Sequence, residues 1–151
     1  MPEGGIMFRL FCMTVLAGTA VYDSVRLEVP DLSCALLLGI AVISTPADIL
    51  AENSAAAAAV WAVYFCVRAL CSALKSRVPI GMGDIKLISI LALMTGASDC
   101  LRLLAAAGIL SGLAAAVLLA TKKAEAKSEI AFVPVIAAAS ALMFVEDLNI
   151  P

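Results

Sequence analysis

The sequence predicts an all-α, polytopic integral membrane protein of about six transmembrane helices, and three observations carry that expectation. The chain is 64% hydrophobic and 15% charged over 151 residues, with a mean hydropathy of +1.09, whereas soluble domains run at roughly 45–50% apolar and 25% charged. Its apolar residues fall into runs separated by short charged stretches. A soluble domain this small could not bury so much apolar surface, whereas a bilayer requires spans of about 20 apolar residues whose backbone groups bond internally. No repeat, linker or second domain interrupts the pattern, so residues 1–151 read as one transmembrane domain.

Candidate spans lie near residues 6–22, 32–47, 54–74, 85–98, 100–121 and 130–145, with ends placed to within about 2–4 residues. The first also imitates a signal peptide, because Arg9 and an apolar run precede the small-residue stretch Leu16-Ala17-Gly18-Thr19-Ala20. Glu3 spoils a basic leader, and the charges after Ala20 suit a cytoplasmic loop, so we read it as a span. Asn53 or Ser54 is placed to cap the third span, and Pro134 to kink the sixth or begin its helix. Alanine runs at 55–59, 105–107, 114–116 and 137–139, with Gly108 and Gly112, lie inside spans, where small residues let membrane helices pack closely.

Basic residues set the expected orientation. Arg26, then Lys75, Arg77 and Lys86, then Lys122, Lys123 and Lys127 fall on one side, against Arg9 and Arg102 on the other. The positive-inside rule places loops 22–31, 75–86 and 121–129 in the cytoplasm and both termini outside.

Composition also excludes chemistry. The chain has no histidine, hence no Ser-His-Asp triad, Cys-His pair, HExxH zinc site or histidine-ligated haem. The five cysteines are odd in number, show no CxxC and sit mostly in apolar runs, so they read as small hydrophobes rather than a disulfide framework or metal knuckle. A net charge of −2 offers no basic surface for nucleic acid. No metal or organic cofactor is called for, and carboxylates, lysines and thiols remain as the groups able to do chemistry.

Most acidic residues lie in loops or at the termini, where solvation explains them. Asp23 directly follows the first apolar run, in Ala20-Val21-Tyr22-Asp23-Ser24-Val25-Arg26, and Asp84 directly precedes the fourth, in Pro79-Ile80-Gly81-Met82-Gly83-Asp84-Ile85-Lys86-Leu87. The derived orientation puts both at the cytoplasmic border of the membrane. By spacing alone, Asp84 reads as an ordinary helix N-cap and Asp23 as an interfacial charge balanced by Arg26. Gly81 and Gly83 change that balance, because a backbone free to take positive φ and to approach a substrate closely is more than a cap requires.

Here the sequence resembles the GxGD family of membrane aspartyl proteases. Gly81-Met82-Gly83-Asp84-Ile85-Lys86 is similar to the GxGDxK form of type IV prepilin peptidases and archaeal preflagellin peptidases. Asp23, Arg26, Val29-Pro30 and Asp31 resemble the segment that follows the first helix of that family, and Ile130-Ala131-Phe132-Val133-Pro134 resembles the I-x-F-x-P stretch opening its last span. Tyr22-Asp23 also invites comparison with presenilin-like proteases, but the chain is too short for their helix count and Val133-Pro134-Val135 is not Pro-Ala-Leu. With no cysteine-bearing region before Ile6, the likeness is to the short peptidases of Flp (tight-adherence) pili, without methyltransferase activity.

The resemblance implies a catalytic pair, Asp23 and Asp84, supported by Gly81, Gly83, Lys86 and Arg26. It implies as substrate a prepilin or pseudopilin whose hydrophobic helix lies in the bacterial inner membrane and whose basic leader is cut off on the cytoplasmic side. Glu28 and Asp31 are placed to attract that leader, and equally read as a solvated loop. Lys86 and Arg26 are placed to orient the carboxylates or meet lipid phosphate, and equally serve as positive-inside anchors. In such a pair one carboxyl is ionised and activates water while the other is protonated and polarises the scissile carbonyl. The dipoles of their own helices predict Asp84 as base and Asp23 as acid. The alternative from a different class is a non-catalytic membrane scaffold or transport subunit, in which either aspartate tolerates substitution.

Overall fold

The computed structural model describes residues 3–76, 81–121 and 131–149, with side chains from 7 to 76, 81 to 121 and 131 to 143. The described residues form five helices: α1 (Glu3–Arg26), α2 (Asp31–Ser44), α3 (Ala47–Ala73), α4 (Met82–Ala120) and α5 (Val133–Asn149). Arg77, Pro79, Lys122, Lys123, Lys127 and Ile130, which enter the orientation and motif arguments, lie outside the described residues.

Proline and a few backbone reversals set the helix boundaries. The chain leaves α1 through Leu27, whose φ of 54° is the left-handed conformation common just past helix ends, and its N–H bonds the Asp23 carbonyl at 2.8 Å. Pro30 starts α2, placing Asp31 in the first turn where the helix dipole favours an anion. Thr45 is extended, as the residue before a proline must be, and Pro46 starts α3. Because α3 begins there, Asn53 and Ser54 lie inside it and neither is a cap, contrary to expectation. Pro134 begins the last helix rather than kinking it: the Phe132 carbonyl accepts the first bonds, from Val135 and Ile136, and Pro134 occupies the second position, where no N–H is needed.

The expected fourth and fifth spans are parts of one long helical element. α4 runs 39 residues and is interrupted at Gly96, whose φ of 82° and ψ of 176° fit no helix, leaving arms at 82–95 and 97–120. Asn53 of α3 attends the break, its Nδ2 donating to the Leu93 carbonyl at 3.1 Å. A side chain at Gly96 would come within 2.9 Å of Asn53 Oδ1.

The first arm of α4 is the centre of the molecule. Ile85 and every residue from Leu87 to Ala92 are buried, so nearly the whole circumference of this arm is covered. α3 packs most extensively on α4, which also meets α2 and α5, while α1 packs on α5 and α2. Leu16, Leu37, Leu87, Val133 and Ile136 fill the common core. Thr19, Ser44, Ser89 and Thr95 satisfy their hydroxyls locally by donating to the carbonyl four residues earlier, whereas the buried Ser140 hydroxyl of α5 has no partner among the described residues.

The outside is apolar. Met7, Val21, Val25, Leu32 and Ile43 are all more than two-thirds exposed, a surface that water would penalise. Among the described residues three helices, Met7–Arg26, Ala47–Ala73 and Met82–Ala120, are long and apolar enough to cross a membrane. α2 has 14 residues, about 21 Å at 1.5 Å per residue and shorter than a hydrocarbon core of roughly 30 Å.

Candidate active site

Asp23 lies in the last turn of α1 and Asp84 in the first turn of α4, 61 positions apart in the chain. Folding brings them into electrostatic reach, with the charge of Asp23 acting on Asp84. Asp23 is 4% exposed, one of few buried polar residues, and its Oδ2 accepts a hydrogen bond of 3.0 Å from the backbone N–H of Val133. Val133 is the first residue of α5, so its N–H is one of the donors that a helix N-terminus leaves without an internal partner. Asp23 therefore joins the last turn of α1 to the first turn of α5. It does so through Val133, and Arg26 stands exposed at the end of α1.

Asp84 is not the N-cap of its helix. Gly81 holds that position and Asp84 stands three residues on, half-buried, with its carboxylate folded back to accept from the Gly81 backbone. This is the returning half of a capping box, and it orients the carboxylate at the helix end.

The two glycines serve different ends, neither of them positive φ. Gly81 has φ −70° and ψ 149°, and a methyl group there would meet Asp84 Oδ2 at 3.4 Å, an ordinary contact. On Gly83 a methyl would fall 2.8 Å from Val29 Cβ and 3.1 Å from its Cγ2. Gly83 is thus the point where α4 presses against the α1–α2 connection, bringing the Val29-Pro30 segment beside Asp84. The expected conformational freedom is replaced by close approach.

The supporting residues divide. Lys86 Nζ bonds Asp31 Oδ1 at 2.6 Å, so it reaches neither candidate carboxylate, and one of the two Asp31 oxygens is already engaged. Glu28 is exposed on the connection. All five cysteines are free, with Cys12, Cys34 and Cys100 buried.

One determinant escapes the side-chain pattern. The Ile-x-Phe-x-Pro stretch is visible in the sequence, yet its contribution is the main-chain N–H of Val133, which no residue type announces. The α4 dipole favours an anion at Asp84 and the α5 dipole favours one at Asp23, so the helix carrying each residue does not decide which is ionised.

The chain matches no family model, no curated protein and no solved structure. The resemblance to prepilin peptidases rests on the residues quoted above.

Proposed function

We propose that this protein is a membrane aspartyl endopeptidase of the prepilin-peptidase type, with Asp23 and Asp84 as its catalytic pair. The observation that supports it most is that two acids from distant parts of the sequence come within electrostatic reach of each other, one of them withdrawn from water and anchored to a third helix. Burying a carboxylate is costly unless the fold supplies partners, and intramembrane ionisable groups commonly mark function.

In this reading the two carboxyls share one proton, because like charges held together cannot both ionise cheaply. Asp23, supported by the Val133 N–H and the α5 dipole, holds the negative charge and acts as base. Asp84 holds the proton. Asp23 removes a proton from water, the oxygen attacks the scissile carbonyl carbon, and Asp84 hydrogen-bonds the carbonyl oxygen as charge develops there. Collapse of the tetrahedral intermediate breaks the C–N bond and expels the amine, which takes the proton that Asp23 removed from water and returns Asp23 to its ionised form.

The two arms of α4 would supply the fourth and fifth of six spans, with the active-site ends of α1 and α4 at the cytoplasmic face of a bacterial inner membrane. There the substrate would be a prepilin or pseudopilin presenting a hydrophobic helix and a basic leader. Glu28 would attract that leader most directly, since Asp31 already holds Lys86 on one of its two carboxylate oxygens. Co-expression with such a substrate, carrying a glycine at its junction, is expected to give a size shift that Asp23→Asn or Asp84→Asn removes while the protein still inserts. An unshifted band with wild-type protein and several substrates would contradict the reading.

The Val133–Asp23 bond also suits a second reading, a non-catalytic scaffold in which Asp23 merely fastens α5 to α1. That reading expects Asp23→Asn to be tolerated.

A further inference from the structure

A cleft of about 410 Å³ opens between α2, α3 and the first arm of α4. Its walls are apolar, with Leu38, Trp61, Ile90 and Leu93 among them, and Trp61 is steadied by stacking on Phe65 at 5.9 Å. Lys86 and Asp31 also line it, and each stands near the start of its helix, so the Lys86–Asp31 pair marks one end of the cleft.

Helix geometry separates this cleft from the carboxylates. At 3.6 residues per turn, Lys86, Ile90 and Leu93 lie about 120–180° around α4 from Asp84. A peptide seated here would have α4 between it and the dyad, so the cleft does not deliver substrate to Asp84.

The charged end narrows the choice of occupant. Lys86 and Asp31 satisfy each other only in part: an ammonium has three N–H donors and a carboxylate two acceptor oxygens, and the bond uses one of each. The side chains remain 40% and 83% exposed. Side by side, they present a free N–H and a free carboxylate oxygen at the mouth of an apolar slot. The complement is a zwitterion on an acyl chain, with phosphate for Lys86 and a hydrogen-bonding ammonium for Asp31.

We propose that this cleft is a binding site for one phospholipid with a primary-ammonium headgroup, phosphatidylethanolamine in chemical class, its acyl chain against Leu38, Ile90 and Leu93. The site rests on the membrane reading given above and is independent of peptidase activity.

The test is native mass spectrometry of the full-length protein in detergent, equilibrated with phosphatidylethanolamine, phosphatidylcholine and phosphatidylglycerol of identical acyl chains. The expected result is one retained phosphatidylethanolamine in preference to the other two, because phosphatidylcholine cannot donate a hydrogen bond to Asp31 and phosphatidylglycerol has no cation. Lys86→Gln and Asp31→Asn should each weaken retention about tenfold, the size of one charge-assisted hydrogen bond. Ala57 of α3 lines the same cleft, and Ala57→Phe, which adds bulk there while leaving the ion pair, should abolish retention. Equal or stronger retention of phosphatidylglycerol or phosphatidylcholine would overturn the proposal, as would retention indifferent to Ala57→Phe. Photocrosslinking from position 38 to a prepilin rather than to lipid would overturn it in favour of a substrate groove. Recovery of the protein from the soluble fraction would overturn the membrane reading itself, whereas membrane recovery without lipid preference sinks this inference alone.

Discussion

The carboxylate of Asp23 accepts a hydrogen bond of 3.0 Å from the main-chain N–H of Val133, 110 residues further along the chain. This bond fixes the end of α1 to the start of α5 and gives Asp23 a structural duty separable from any chemical one. An Asn at position 23 keeps an oxygen that can accept from Val133, whereas an Ala does not. Asp23→Asn should therefore melt close to wild type in detergent and lose cleavage. Asp23→Ala should lose about 1–2 kcal/mol of stability, the scale of a lost helix cap. Thermal unfolding of the two variants beside a processing assay checks both halves, and an active Asp23→Asn would reduce the residue to a fastening.

The location of the shared proton follows from the same bond. With Val133 donating to Asp23, the proton is expected on Asp84. Infrared difference spectra of the resting protein should show a protonated-carboxyl band that disappears in Asp84→Asn. Persistence of that band in Asp84→Asn would place the proton on Asp23, as the dipoles of the parent helices alone would have it.

Gly83 and Gly81 should respond oppositely to a single methyl group. Gly83→Ala drives a Cβ to 2.8 Å from the Cβ of Val29, an atom with no freedom to swing aside. Overpacking of this kind typically costs about 1–3 kcal/mol and should displace Asp84 relative to Asp23. Gly81→Ala makes only ordinary contact with Asp84 Oδ2. Melting temperatures should fall for Gly83→Ala and hold for Gly81→Ala, and Val29→Gly should partly restore the former.

These expectations show what the sequence makes legible and what it hides. Apolar runs bracketed by charges are a bulk property of composition, so the helices, and the turns in which Asp23 and Asp84 stand, can be read directly. Asn53 misleads, because a polar residue before an alanine run looks like a cap; Pro46 has already started the helix, and Asn53 instead serves the Leu93 carbonyl. Gly96 is missed for another reason: the apolar run continues through it, so the fourth span is expected to end at 98, whereas the backbone breaks at Gly96 and stays helical on both sides of that one residue. Val133 cannot be found from side chains at all, since what it offers is an N–H common to every residue but proline.

The Gly96 break should be sensitive to both partners. Asn53→Ala leaves the Leu93 carbonyl without its donor, which in membrane proteins costs about 0.6 kcal/mol on average and up to about 1.7. Gly96→Ala should cost more, because it combines a φ of 82° with a contact of 2.9 Å to Asn53 Oδ1. Denaturation of the single and double variants would test the coupling: if Asn53→Ala relieves part of the Gly96→Ala penalty, the two residues act on one another directly.

The proposed chemistry requires Asp23 and Asp84 to act as one unit on a peptide bond. Single-turnover cleavage of a purified prepilin by the reconstituted protein, with Asp23→Asn, Asp84→Asn and the double variant compared at matched folded concentration, addresses it most directly. Each single substitution is expected to abolish cleavage and the double to be no worse than either, as for residues that share one task. Measurable turnover by either single variant, or stepwise additive losses, would contradict a joint role.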